Sequence, residues 1–163
     1  MTNPIHFVEL MGIPASGKTT MAAEYASKGY TLIDTDAIRY ETGYTRQNDL
    51  DEKGNEETCQ RAYEALLRGE NVIFDAPSVL ATRKAMLGLI DLVEQKNGVP
   101  VFRELIVLRI PTSVCLDRNA KRPKPYPDEM FTRHYVNFEK GLTEIGMEGW
   151  DNIAFVYSKD VDG

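Results

Sequence analysis

The chain has 163 residues, 27% of them charged and 42% hydrophobic, an ordinary balance for one globular domain spanning 1–163. Its net charge of −6 excludes a protein that coats nucleic acid through a broad basic face, while a local basic groove stays open. No apolar run approaches the roughly 20 residues of a membrane span, no basic-then-apolar leader opens the chain, and Cys59 and Cys115 stand far apart. The expectation is a cytoplasmic protein with no membrane contact, disulfide or zinc site.

Residues 5–11 read as a buried strand, broken in character only by His6 and Glu9 and bounded by Gly12 and Pro14. A helix is expected over 17–28, with Gly29 as its stop, then a strand over 30–35 and a short helix over 36–42. The polar stretch 43–55 reads as a loop, and a helix follows over 56–69. "NVIFDA" (71–76) is the third strand. A long helix over 79–97 takes Ser78 as its cap. "VFRELIVLRI" (101–110) is the fourth strand, and Thr112 caps a helix running to about Lys121. "RPKPYPD" (122–128) cannot be helical, because prolines interrupt it. A helix over 128–145 and a strand over 152–158 close the order. Such alternation predicts an α/β fold, a doubly wound, mostly parallel sheet flanked by helices. Ligands bind such sheets at the carboxyl ends of the strands. Gly12 to Thr19, Asp34 to Asp36, Asp75 and the segment after Arg109 all fall on that rim.

"GIPASGKT" (12–19) lies between the first strand and the first helix and fits G-x-x-x-x-G-K-[ST], the phosphate-binding loop. Its glycines let successive backbone N–H groups turn inward, and the helix N-terminus adds its positive end. The residues expected against a nucleotide are Gly12, Ala15, Ser16, Gly17, Lys18, Thr19 and Thr20. Lys18 brings a point charge to the β- and γ-phosphates, and the Thr19 hydroxyl is the expected Mg²⁺ ligand. GTPase signatures are absent: the third strand ends in "FDAP", and no N-K-x-D occurs. A small phosphotransferase using ATP and Mg²⁺ is the reading left.

"IDTDAIRY" (33–40) places Asp36 and Arg39 three apart, on one face of a helix that starts at Asp36. A carboxylate there can take the proton of a substrate hydroxyl, and an arginine one turn on can hold a substrate phosphate. The plainer alternative is a capping aspartate and a solvated arginine. "DRNAKRPKPYP" (117–127) carries Arg118, Lys121, Arg122 and Lys124 with no acid between Asp117 and Asp128. It suits a small basic lid over a transferring phosphate, or else a solvated basic turn. Asp75 suits the outer shell of a metal or the orientation of a loop. His6 and His134 are isolated and read as non-catalytic, and Trp150 reads as packing.

Together "GIPASGKTTMAAEYA", the D-x-x-R of "IDTDAIRY", "NVIFDAPSVLATRK" and "RIPTSVCLDRNAKR" resemble the P-loop kinase domain of bacteriophage-type polynucleotide 5′-hydroxyl kinases, from Ile5 to about Glu139. Related phage kinases of this type phosphorylate hydroxymethyl groups on pyrimidine bases in DNA. The resemblance implies Asp36 as general base, Arg39 on an acceptor phosphate, and Lys18 and Thr19 in the loop. It further implies Arg122 as the lid arginine and Asp75 at the end of the third strand; Arg118, in the same basic run, is also expected beside the nucleotide. It implies a nucleic-acid partner, DNA ahead of RNA, and leaves the oligomeric state open. The phosphatase domain that often follows such kinases has no counterpart in these residues. Two rivals stand beside this expectation. One is a kinase of small molecules such as nucleosides, sugars or antibiotics; the other is a non-catalytic nucleotide-binding module.

Overall fold

The computed structural model describes residues 3–43 and 52–157. Five strands form one sheet in the order β2-β3-β1-β4-β5. They are β1 (Ile5–Met11), β2 (Thr31–Asp34), β3 (Val72–Asp75), β4 (Val101–Arg109) and β5 (Asn152–Tyr157). Every described pairing is parallel, so the expected mostly parallel sheet is parallel throughout these residues. The helices are α1 (Lys18–Ser27), α2 (Thr35–Thr42), α3 (Glu52–Leu67), α4 (Leu80–Asn97), α5 (Thr112–Ala120) and α6 (Asp128–Leu142), with a 3₁₀ turn at Ile145–Met147. Among the described residues no helix is long and apolar enough to cross a membrane.

β1 is central and covered on both faces, which is why it reads as a nearly unbroken apolar run. Side chains alternate along it. Val8 and Leu10 join Ala22 of α1 and Ile73, Ile106 and Leu108 of the neighbouring strands in one cluster. Phe7 points the other way, into a cluster with Ala62 and Leu66 of α3 and Met86 and Ile90 of α4. Met11 lies on the same face as Phe7 but in a separate cluster, with Phe138 and Leu142 of α6 against Leu105 and Val107. The sheet is therefore sandwiched between helices, and all five strand C-termini reach one rim.

Three helix caps differ from the expectation. Asp34, not Asp36, caps α2: its carboxylate accepts the N–H of Asp36 at 2.9 Å. Val79 occupies the cap position of α4, because the Ser78 hydroxyl is turned away to donate to Glu9 Oε2 at 2.8 Å. Thr112 is the first residue of α5, with Pro111 before it; proline suits the position because no N–H is needed there.

The expected loop over 43–55 falls partly outside the described residues, and its last part, 52–55, is helical in α3. Glycine is a poor helix former, so propensity argued for a later start. The tertiary contact explains the difference. A Cβ on Gly54 would come within 2.8 Å of Arg39 Nε and 3.2 Å of its Cγ, so only glycine admits the arginine against α3. At the other end, α6 stops at Leu142 rather than continuing to Ile145, and the chain tightens into the 3₁₀ turn.

Candidate active site

A cavity of about 1270 Å³ opens over the C-terminal rim of the sheet. Its floor is the loop from Pro14 to Thr20, which joins β1 to α1. Gly12 must be glycine, since a Cβ there would run into Ser16 Oγ and press on Leu108. Ala15 and Gly17 adopt φ of 67° and 101°. The positive φ at Ala15, uncommon for a residue with a side chain, marks local strain of the kind held at binding sites. Ser16 Oγ is buried and has no hydrogen-bond partner among the described residues. A tight turn with an unsatisfied buried hydroxyl at a helix N-terminus fits a phosphate group.

One wall is acidic. Asp34 and Asp75 are register partners at the ends of β2 and β3, and Asp36 follows in the first turn of α2. All three line the cavity. Burial pushes the Asp75 carboxyl above its ordinary range; Lys18 opposes this, and Asp34 and Asp36 reinforce it. Burial likewise raises Asp34, helped by Asp36 and opposed by the N–H groups of Asp36 and Ala37 and by Lys18. Lys18 lies between loop and acids, half-buried on the cavity wall. Among the described residues no three carboxylate, imidazole or thiol groups could hold a metal unaided. The exposed Thr19 hydroxyl lies on the cavity wall at the start of α1, where it could serve a hydrated Mg²⁺ that leans on substrate phosphates.

The opposite wall is basic and aromatic. Arg118, Arg122, Lys124, Tyr126 and His134 line it, and Arg118 Nη1 donates to the carbonyl of Ala15 at 3.3 Å. Leu108, Ile110, Phe155, Val156 and Tyr157 supply an apolar corner at the ends of β4 and β5. Loop, acids and lid are thus brought together as the sequence suggested, and Gly12 supports the loop from beneath.

Arg39 is placed elsewhere. It is 2% exposed and absent from the cavity wall. Its guanidinium lies between α2 and α3, with Nη2 donating to Asn55 Oδ1 at 3.4 Å and Nη1 4.0 Å from Asp36 Oδ1. It is not a solvated surface charge.

Sequence reading also passed over a charged group under the site. Glu9 is fully buried on the face of β1 that carries Phe7 and Met11, at the seam between their clusters. Its partner Ser78 offers its carbonyl to Arg83 Nη1 at 2.6 Å. Arg83, itself fully buried, donates from Nε to Glu148 at 2.9 Å and 3.1 Å, and Trp150 Nε1 donates to the same carboxylate at 2.9 Å. Trp150 also stacks on Phe7, so packing is only half of its role. Glu144 stands 3.8 Å from Arg83 Nη2, an ion pair too long for a hydrogen bond.

Burial pushes the Glu9 carboxyl up to about 7; the Ser78 hydroxyl, Arg83 and Lys18 pull it down, and Glu148 pushes it up. In the unfolded chain it titrates near 4.5. The folded state therefore holds a proton that the unfolded state has lost, and stability falls as pH rises from about 4.5 to about 7. Glu9→Gln keeps a partner for Ser78 and removes this titration. Denaturant unfolding of both proteins at pH 5 and pH 8 should show the wild type losing on the order of 3 kcal/mol more than the variant. Equal losses would show that Glu9 titrates alike in both states.

The fold and the loop define a parallel α/β architecture with a phosphate-type loop between β1 and α1. The chain belongs to the AAA domain family, whose sequence profile matches residues 7–139. No curated protein matches it in sequence. Among solved structures it is similar to a chain of the Pnkp1/Rnl/Hen1 RNA repair complex, with 19% identity and a TM-score of 0.65 over 88% of this chain and 47% of that one. The chain thus spans about half the length of that relative. It is also similar to a sugar kinase from Janibacter sp. HTCC2649, with 17% identity and a TM-score of 0.61 over 94% of this chain and 86% of that one. A deoxyadenosine kinase from M. mycoides shares 20% identity and a TM-score of 0.55 over 96% and 91% of the two chains.

Proposed function

We propose that this chain is an ATP-dependent kinase that transfers the γ-phosphate to a hydroxyl of a nucleic acid, either a 5′-hydroxyl end or a hydroxymethyl pyrimidine. The observation that carries the reading is one cavity holding a phosphate loop, the Asp36 carboxylate and the lid's Arg122. The acceptor oxygen attacks the γ-phosphorus, its proton passes to Asp36, and the bond from phosphorus to the bridging oxygen breaks to release ADP. Little covalent work falls to the protein, so positioning and charge neutralisation dominate. Lys18 and Arg122 hold the charge of the transferring group. Thr19 would hold a Mg²⁺ ion beside the acidic wall of Asp34 and Asp75, and the ion would supply neutralisation of phosphate charge.

The size and openness of the cavity and its basic lid favour a polymeric acceptor. The burial of Arg39 favours the rival, a small-molecule kinase, because it removes the contact to an acceptor phosphate. In our reading Arg39 instead holds α2 to α3 and so steadies Asp36, and Lys124 meets the acceptor's phosphates.

Transfer of label from γ-labelled ATP to a panel of acceptors tests this. 5′-Hydroxyl oligonucleotides or hydroxymethylated duplex DNA should take the label. The Michaelis constant for the oligonucleotide should rise with salt along a shallow slope, since few phosphates are neutralised. Label passing only to nucleosides or sugars, with no salt dependence, would establish the rival. Tight ATP binding with no transfer to any acceptor would leave a nucleotide-binding module.

A further inference from the structure

The lid is fastened by contacts within the protein. α5 ends at Ala120, and the N–H of Arg122 donates to the carbonyl of Asn119 at 3.1 Å. The Asn119 side chain, 5% exposed, then reaches forward across the turn. Its Nδ2 donates to the carbonyl of Tyr126 at 3.1 Å, and its Oδ1 accepts the N–H of Tyr126 at 3.0 Å. One asparagine thus ties both ends of the segment 122–126. Pro123, Pro125 and Pro127 fix their own φ and restrict the residues before them, so little backbone freedom is left between those ties. Within the closed turn the Arg122 guanidinium lies over the Tyr126 ring, 5.4 Å from its centroid. His134 of α6 meets the same ring edge-on, at 5.9 Å and 68°. Arg122, Tyr126 and His134 all line the cavity.

A long arginine loses much of its rotamer freedom when it engages a phosphoryl group. Where an aromatic face already holds the guanidinium, part of that loss has been taken in advance, and the interaction in the transition state comes at lower cost. The ring is an aromatic in a polar loop, partly exposed, and tied by its backbone to a buried side chain. Burying a hydrophobic side chain does not explain that arrangement, whereas aiming Arg122 into the cavity does. We infer that Tyr126 is a positioning residue for Arg122, set in place by Asn119. This inference rests on the proposed role of Arg122 over the transferring phosphate.

The test compares Tyr126→Leu, Tyr126→Phe, Arg122→Ala and the Arg122→Ala/Tyr126→Leu pair. Initial rates of transfer from γ-labelled ATP to a 5′-hydroxyl oligonucleotide, and to water, are measured with the full chain. Tyr126→Leu should lower kcat roughly three- to tenfold and leave KM for ATP unchanged, the scale of a cation–π contact. Tyr126→Phe, which keeps the ring face, should hold the wild-type rate. The double variant should be no slower than Arg122→Ala alone, because the two act as one unit. In NMR spectra the Arg122 Nε–H should carry a ring-current shift that Tyr126→Phe keeps and Tyr126→Leu abolishes. Equal damage by Phe and Leu, additive losses in the pair, or an unshifted Arg122 resonance would overturn the inference. An impaired Arg122→Ala beside a full-rate Tyr126→Leu overturns it alone. A silent Arg122→Ala overturns both it and the role of Arg122.

Discussion

Lys18→Ala should lower phosphoryl transfer by at least about 10²–10³-fold, because it removes a full charge from the place where charge develops on the transferring group. The structure explains why this loss will not be one of folding. Lys18 is half-buried on the cavity wall, in the first position of α1, and belongs to none of the apolar clusters. Alanine is also a good helix former, so α1 keeps its first turn. Thermal unfolding should move by no more than a surface substitution moves it, about 0.5 kcal/mol. ATP binding should weaken too, since Lys18 faces the ground-state phosphates as well. Lys18→Arg should not restore the rate, because a planar fork does not replace a compact ammonium inside a tight loop. Near-normal turnover of Lys18→Ala, measured with saturating labelled ATP, would mean that this loop is not the phosphate site.

The phosphate loop was legible because its chemistry is local. Eight consecutive residues, 12–19, specify their own turn, and a strand before and a helix after place it on the rim. The inner strands were legible for a related reason: burial on both faces turns β1, β3 and the second half of β4 into short apolar runs. What stayed hidden depends on partners far along the chain. The spacing of Asp36 and Arg39 correctly puts them on one side of α2, yet only the approach of Gly54 shows that α3 covers the arginine. Glu9 looked like a polar interruption in a strand, and its partner Ser78 looked like a helix cap; they meet across 69 residues. The prolines ruled out a helix over 122–128 without revealing that Asn119 closes that turn onto Tyr126. His134, isolated in sequence, reaches the cavity because α6 returns beneath the lid. The one usable signal for the buried network was a glutamate in the middle of an otherwise apolar central strand, which demands a partner.

The acceptor side turns on Asp36. Had Asp36 been the cap of α2, its replacement would fray the helix, and any loss of rate would have an ordinary cause. Asp34 holds the cap, so Asp36→Asn leaves α2 intact and keeps the size of the side chain. The carboxylate is half exposed, at 52%, on the cavity wall, with the Arg39 guanidinium 4.0 Å behind it. That pairing favours a carboxylate turned to a fixed direction without burying it. Asparagine cannot take the proton of a hydroxyl, so turnover should fall roughly 10²–10⁴-fold, the usual worth of a positioned general base. The Michaelis constant for ATP should barely change, because the transferring phosphate is held by the loop and the lid. Arg39→Gln should give a smaller loss of turnover with the same unchanged constant for ATP, since it loosens Asp36 without removing it. If Asp36→Asn instead weakens ATP binding as much as it slows transfer, the carboxylate works with Asp34 and Asp75 around the metal. The base would then have to be sought between those two, whose carboxyls burial raises and so makes stronger proton acceptors.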